Sequence, residues 1–147
     1  MIFDKRSEFC DDTALNTSAA GTYLIGNVIN LNKTGLDLGQ GDPLWLVIQV
    51  STTATSSGSA AATFKLASDA QAAIATDGSA TVHLVSDTMT VASLTTGTVV
   101  LMAPLPRGTY ERYLGLLQVT GTAAFTAGKV NAFLTTDPNG WKAYANA

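Results

Sequence analysis

The chain has 147 residues and a formal charge of −3, with 46% hydrophobic and only 13% charged residues, against about 25% charged in ordinary globular domains. That length builds one domain able to bury roughly two thirds of its unfolded surface, and with a mean hydropathy of +0.22 it excludes intrinsic disorder. A pI near 4.8 removes the positive field that nucleic-acid binding needs, while 22 Ala, 21 Thr and 13 Gly make the composition that of a β-rich protein with small apolar and uncharged polar surfaces.

Met1 to Glu8 carries Asp4, Lys5, Arg6 and Glu8 where a secretory peptide needs an apolar run of about 7 to 15 residues, so no signal peptide is read there. Residues 1–22 hold too few contiguous apolar groups for a core of their own. They read as an extended N-terminal arm, ordered by lying along a neighbour, ahead of a single domain over residues 23–147. One cysteine, Cys10, and one histidine, His83, leave neither an internal disulfide nor a Cys/His zinc set. Beside Phe9, and followed by Asp11 and Asp12 that would raise its pKa, Cys10 reads as a small apolar residue where arm meets core rather than as a reactive thiol.

Tyr23 to Leu31 is a first, weak strand. The turn Gly39-Gln40-Gly41-Asp42-Pro43 keeps proline out of the ladder and leads into the best strand signal, Leu44 to Val50. There Leu44, Leu46, Ile48 and Val50 share one face and Trp45, Val47 and Gln49 the other, so one face is core, the other is mostly covered, and Trp45 is placed in the core. Ser51 to Ala62 contains no bulky side chain and reads as a mobile loop. Thr63 to Ala67, with Phe64 and Leu66 inward, Thr81 to Val85, Thr88 to Leu94 and Thr98 to Ala103 read as further strands. The one helix candidate is Ala70 to Ala75, behind a Ser68 or Asp69 cap and ahead of Asp77-Gly78, short enough to suit a loop as well. Tyr113 to Thr120 is the second long strand, with Leu114, Leu116 and Gln118 on one side and Tyr113, Leu117 and Val119 on the other. Phe125 and the alternation of Val130, Ala132 and Leu134 with Asn131 and Phe133 read as a closing hairpin. About seven to nine short strands with Gly and Pro punctuation predict an all-β, single-domain β-sandwich or jelly roll. The most apolar windows, Leu44 to Val50 and Val99 to Pro106, fall far short of the roughly 20 residues that cross a bilayer, so a soluble protein is expected.

Reactive constellations are hard to assemble from this chain. A nucleophilic triad needs a base, and His83 alternates as a strand residue within Thr81-Val82-His83-Leu84-Val85. There is no Gly-x-Ser-x-Gly elbow and no phosphate-cradling loop, and Gly35 to Gly41 does not open a helix. Asp11 and Asp12 are adjacent on the arm and the other acids stand singly in turns, a poor basis for a catalytic carboxylate pair. Asp37, Asp42 and Asp87 lack the spacing of a calcium loop. Charge runs unevenly instead: four acids and three bases over residues 1–33 (−1), five and one over 34–106 (−4), two and four over 107–147 (+2), an asymmetry by which the ends of neighbouring copies could attract. Trp141 and Tyr144, beside Lys142 in the tail, either fold back on their own sheet or dock on a partner.

Three stretches together carry a resemblance. Met1-Ile2-Phe3-Asp4-Lys5 with Phe9 and Asp11-Asp12-Thr13-Ala14, then Gly41-Asp42-Pro43-Leu44-Trp45-Leu46-Val47-Ile48-Gln49-Val50, then Leu105-Pro106-Arg107-Gly108-Thr109-Tyr110-Glu111-Arg112-Tyr113-Leu114 with Phe125-Thr126-Ala127-Gly128-Lys129-Val130, resemble the Bbp16-like capsid cement proteins of tailed bacteriophages. The closing Trp141-Lys142-Ala143-Tyr144 agrees with the same family. The resemblance implies a small jelly roll, made in the host cytoplasm, that forms homo-oligomers (dimers or trimers) on the outer surface of the virion head and clamps neighbouring major capsid proteins. It implies no catalysis, no cofactor, no metal, and neither nucleic acid nor membrane as partner. Candidate contacts with capsid or sister copies are Phe3, Arg107, Glu111, Arg112, Trp141 and Tyr144; Arg107, Glu111 and Arg112 lie at a turn between strands, where they either pair with a partner's charges or brace the turn locally. The alternative of a different class is a carbohydrate-binding jelly-roll module of a phage tail or fibre, which needs an exposed aromatic beside acidic or amide groups in a pocket. A β-sandwich hydrolase would need His83 in a cleft beside a nucleophile.

Overall fold

In the computed structural model, which describes residues 5–32 and 41–139, the alternating segments form nine strands: β1 (Glu8–Ala14), β2 (Gly21–Asn30), β3 (Trp45–Ser56), β4 (Ala61–Asp69), β5 (Thr81–Val85), β6 (Met89–Thr90), β7 (Val99–Pro104), β8 (Tyr113–Gly121) and β9 (Phe125–Thr135). Single 3-10 turns cover Lys5–Ser7 and Val91–Ser93. All pairings are antiparallel and make two sheets, β1-β9-β3-β7 and β2-β8-β4-β5, with the short β6 beside β4. Apart from β4 to β5 to β6, each strand hands the chain to the opposite sheet, which is the winding of a jelly roll. Leu46, Ile48 and Val50 of β3 meet Phe64 and Leu66 of β4, Leu114 and Leu116 of β8, and Val130, Ala132 and Leu134 of β9 in one buried core, with Phe9 and Phe125 filling its width. These are the inward positions that the period-2 reading assigns.

The largest of the buried polar side chains is an amide. Gln118 is fully buried, and its carboxamide is saturated: Oε1 accepts the Asn16 N–H at 2.8 Å, while Nε2 donates to the Asn16 carbonyl at 3.1 Å and to Thr120 Oγ1 at 2.9 Å. The amide thus supplies the backbone partner that the β1–β2 crossing would otherwise lack.

Several expectations are corrected. Residues 8–14, read as part of an extended arm lying along a neighbour, form β1 and pair with β9 of their own chain, burying Phe9 and Cys10. The strand is disguised because Glu8, Asp11 and Asp12 surround its two apolar residues and two register irregularities break the alternation. Ser51 to Ala62, read as a mobile loop, is strand up to Ser56 and again from Ala61. Its small side chains reflect close packing: a Cβ on Gly128 would lie 2.8 Å from Ala54 Cα. Its threonines make hydroxyl pairs, Thr53 with Thr96 of the turn before β7 at 3.0 Å and Thr55 across to Thr126 of β9 at 2.8 Å. Ala70 to Ala75 forms no helix. Asp69 accepts the N–H of Gln71 at 3.1 Å and of Ala75 at 2.9 Å, folding the segment back so that Ile74 is buried against Ala67 and Leu117 on the outer face of its sheet. Thr88 to Leu94 is strand only at Met89–Thr90 before a 3-10 turn. The closing hairpin is absent, because β8 and β9 lie in different sheets and Phe125 must drop into the core between them. Trp45, placed in the core, is only half-buried at the start of β3.

The two flanks of the sandwich differ. At one, β1 and β2 touch: Gly26 adopts φ +69°, and a Cβ there would stand 2.0 Å from the Phe9 carbonyl oxygen and 2.6 Å from Cys10 Sγ. Only glycine fits both the backbone angle and the space. At the other flank, edge strands β5 and β7 do not pair with each other. The segment between β6 and β7 bridges part of the gap, with the Leu94 carbonyl accepting from Ala54 N–H at 2.8 Å and the Leu94 side chain fully buried.

Gly26→Ala is therefore expected to lower unfolding free energy by about 3 kcal/mol or more, whereas Gly41→Ala, at φ +89° with open space around it, costs on the order of 1 kcal/mol. Chemical denaturation of both variants checks this. Equal losses would show that the contact between β1 and β2 is not the constraint described.

Candidate functional site

The longest polar constellation lies where the segment after β7 returns across β4 and β5. Ser68 on β4 is fully buried. Its Oγ accepts the Glu111 N–H at 3.1 Å and lies 2.8 Å from His83 Nε2 on β5. The imidazole tautomer sets which of Ser68 Oγ and His83 Nε2 donates in this contact. The His83 ring stacks on Tyr110, centroids 3.9 Å apart, and Tyr110 donates to the Pro106 carbonyl at 2.6 Å. Glu111 Oε1 accepts from Thr81 Oγ1 at 2.7 Å. Arg112 lies 5.1 Å from the Tyr113 ring centroid and its Nε is 3.4 Å from Asn30 Oδ1. Serine, histidine and glutamate do meet here, but the hydroxyl is out of reach of solvent and the histidine is held by stacking. The arrangement fastens the 105–112 segment to β5; it does not present a nucleophile.

Of the six contact candidates, Phe3, Trp141 and Tyr144 lie outside the described residues, as does Asp37. Glu111 and Arg112 make the local contacts just described. Arg107 is exposed at the tip of the turn, with no hydrogen bond or ion pair among the described residues. No group of three or more His, Cys, Asp or Glu side chains among the described residues is placed to hold a metal ion, and no helix among them is long and apolar enough to cross a membrane. Cys10 is buried, and burial, with the Glu8 charge adding to it and a Thr13 hydrogen bond opposing it, pushes its thiol up to about 12. Desolvation, rather than Asp11 and Asp12, is the main cause. Asp12 holds β1 to its neighbours: Lys129 reaches it at 2.6 Å and Ser51 at 2.8 Å, both lowering its pKa.

Several concavities mark the surface. A cleft of 340 Å³ runs beside Lys5, Glu8, Asn27 and Asn30, and an apolar cup of 220 Å³ is lined by Leu31, Leu44, Leu105, Tyr110 and Leu114 at one end of the sandwich. More telling is where bulky apolar side chains meet solvent. Val82 (44% exposed) and Val85 (53%) lie on β5, and Val99 (37%) and Met102 (38%) on β7. All four belong to the two edge strands of one flank. Sequence reasoning placed these residues in strands without marking them as surface, although residues 88–106 contain no charged side chain at all, a signal that was there to read.

The fold and its surface define a jelly-roll β-sandwich whose buried polar groups are bonded inward and whose apolar side chains reach solvent along one flank. Residues 9–134 match the Bbp16 family, and the chain belongs to that phage-related family. No curated protein matches it.

Two outcomes follow from the site. Burial holds the His83 imidazole below its ordinary value, against the opposing pull of Glu111, so between these values the unfolded chain binds more protons than the folded one and stability rises with pH. The contribution is complete above pH about 6.5 and is lost as pH falls toward the depressed folded value. Melting temperatures measured from pH 8 to 5 should fall for the native protein and change less for His83→Gln; parallel curves would remove His83 as the cause. Cys10 should resist an aromatic disulfide reagent in the folded protein and react with one equivalent only after denaturation, whereas fast native labelling would contradict its burial.

Proposed function

We propose that this protein is a capsid cement protein: it decorates the outer surface of a phage head as a homo-oligomer and clamps neighbouring major capsid proteins without catalysing a reaction. The observation that carries this reading is the placement of all four exposed large apolar side chains of the described residues on β5 and β7, within a chain of a phage-related family. Natural edge strands are normally blunted by charge, proline or cover. An uncharged apolar edge suits a protein that works by lying against another surface, where strand edges add main-chain hydrogen bonds to side-chain burial. Covering half-exposed Val85 contributes on the order of 1 kcal/mol, so a single such contact is weak. Strength then comes from repetition, since an oligomer touching several capsid subunits gains avidity on the order of a hundredfold or more. Binding only the assembled shell stabilises that shell by mass action and resists the outward load of packaged DNA.

The test is co-sedimentation with heads assembled without this protein. Native protein is expected in the head fraction to saturation, and Val85→Lys, a change at an exposed position that leaves folding intact, should weaken binding tenfold or more. Native protein that stays in the supernatant at all head concentrations would overturn the reading.

A further inference from the structure

The apolar cup at one end of the sandwich is lined, among the described residues, by Leu31 just past β2, Leu44 just ahead of β3, Leu105 and Tyr110 after β7, and Leu114 on β8. These side chains offer it no free polar atom, because four are leucines and the Tyr110 hydroxyl is spent on the Pro106 carbonyl at 2.6 Å. Its volume is 220 Å³. Ligand pockets run from roughly 300 to 1,000 Å³, so the cup suits one large side chain. Strand β9 delivers the chain to the same end. Its last residue, Thr135, is the register partner of Trp45, one strand spacing of about 4.8 Å away, and the next residue along is Leu44. Two side-chain turns then keep the chain from running on past the sandwich: Thr135 Oγ1 accepts the Asp137 N–H and Asp137 Oδ1 accepts the Asn139 N–H, each at 3.1 Å. Gly140 and Trp141 follow. Two residues of chain span up to about 7 Å, and an indole reaches further. Of the eight residues from Gly140 to Ala147, only Trp141 and Tyr144 are large and apolar, and Trp141 is the larger and the nearer.

We infer that the cup is the seat of Trp141: the segment after β9 folds back across the end of its own sandwich and plugs the indole among the leucines, against the Tyr110 ring. Apolar burial drives the docking, and the pairing of two aromatic rings adds to it. Because Tyr110 also stacks on His83 of β5, the seated indole is a further clasp on the 105–112 segment, beside the Ser68 and His83 contacts. Of the two options open to the tail aromatics, own-sheet packing or a partner, this assigns Trp141 to the first. It stands apart from the decoration reading and needs no second copy.

Fluorescence of the full chain carrying Trp45→Phe, which leaves Trp141 as its only tryptophan, tests the seat. Emission of the folded protein should be blue-shifted from that of the urea-unfolded chain, and acrylamide quenching severalfold weaker. Adding Leu105→Lys or Leu44→Lys should move emission and quenching to the unfolded values while circular dichroism stays native, and Leu31→Lys replaces either variant that does not fold. Fluorine NMR of the natural sequence labelled with fluorotryptophan, its resonances assigned with Trp141→Phe, repeats the measurement without the Trp45 change. The double variant Trp45→Phe and Trp141→Ala has an open cup and no tryptophan of its own; mixed with the Trp45→Phe and Leu105→Lys protein, it should not restore the blue shift. An indole as exposed in the folded chain as in the unfolded one, or one indifferent to the cup variants, would overturn the seat. Recovery on mixing would place the indole in the cup of a second copy and overturn the assignment to its own chain.

Discussion

The architecture turns on the place where Gly26 lets the Phe9 peptide through. Two sheets that pack face to face must be joined at their flanks or left open there, and at the β1–β2 flank the join is made by backbone against backbone, with the Phe9 carbonyl oxygen where any Cβ on residue 26 would have to stand. That contact puts Phe9 in the core and commits residues 8–14 to β9. Gln118 then holds the crossing segment through both ends of the Asn16 peptide. At the opposite flank the segment between β6 and β7 gives partial cover, and apolar side chains of edge strands β5 and β7 face solvent there.

Period-2 reasoning located every long strand whose inward residues are large. Leu46, Ile48, Phe64, Leu66, Leu114 and Leu116 face the core as their spacing demands. It failed where side chains are small or the alternation is broken. The Ser51 to Ala62 stretch looked like a loop because its strand is built from Ala and Thr, and the reason for Ala54 is a close approach of Gly128, 74 residues away in sequence. Phe9-Cys10 are adjacent and both buried because β1 is irregular, a feature that no periodic template contains. Asp69 looked like a helix cap and does cap backbone N–H groups, but those of a folded-back loop whose purpose is to seat Ile74. The choice between a β8–β9 hairpin and a sheet crossing depends on which sheet has room for Phe125, a property of the whole packing.

The site was legible in part. His83 read as a strand residue, and it is one; that its partner is a buried serine, and that Tyr110 stacks on it from a distant turn, follows only from the topology that brings β4, β5 and the 105–112 segment together. Glu111 accepts from Thr81 and Arg112 reaches Asn30 at 3.4 Å within the same chain, while Arg107 and Arg112 are both exposed. Membership of the Bbp16 family places the chain among phage-related proteins, and the decoration role proposed for it asks of the surface only shape, apolar edge and repetition.

The most direct measurement is an electron cryomicroscopy reconstruction of heads saturated with this protein. The account predicts jelly-roll density on the outer face of the shell, straddling adjacent capsid subunits with the flank of β5 and β7 turned toward its neighbours and the β1–β2 flank free. Density on the inner face, or molecules attached through the β1–β2 flank with Val85 and Met102 pointing to solvent, would contradict it.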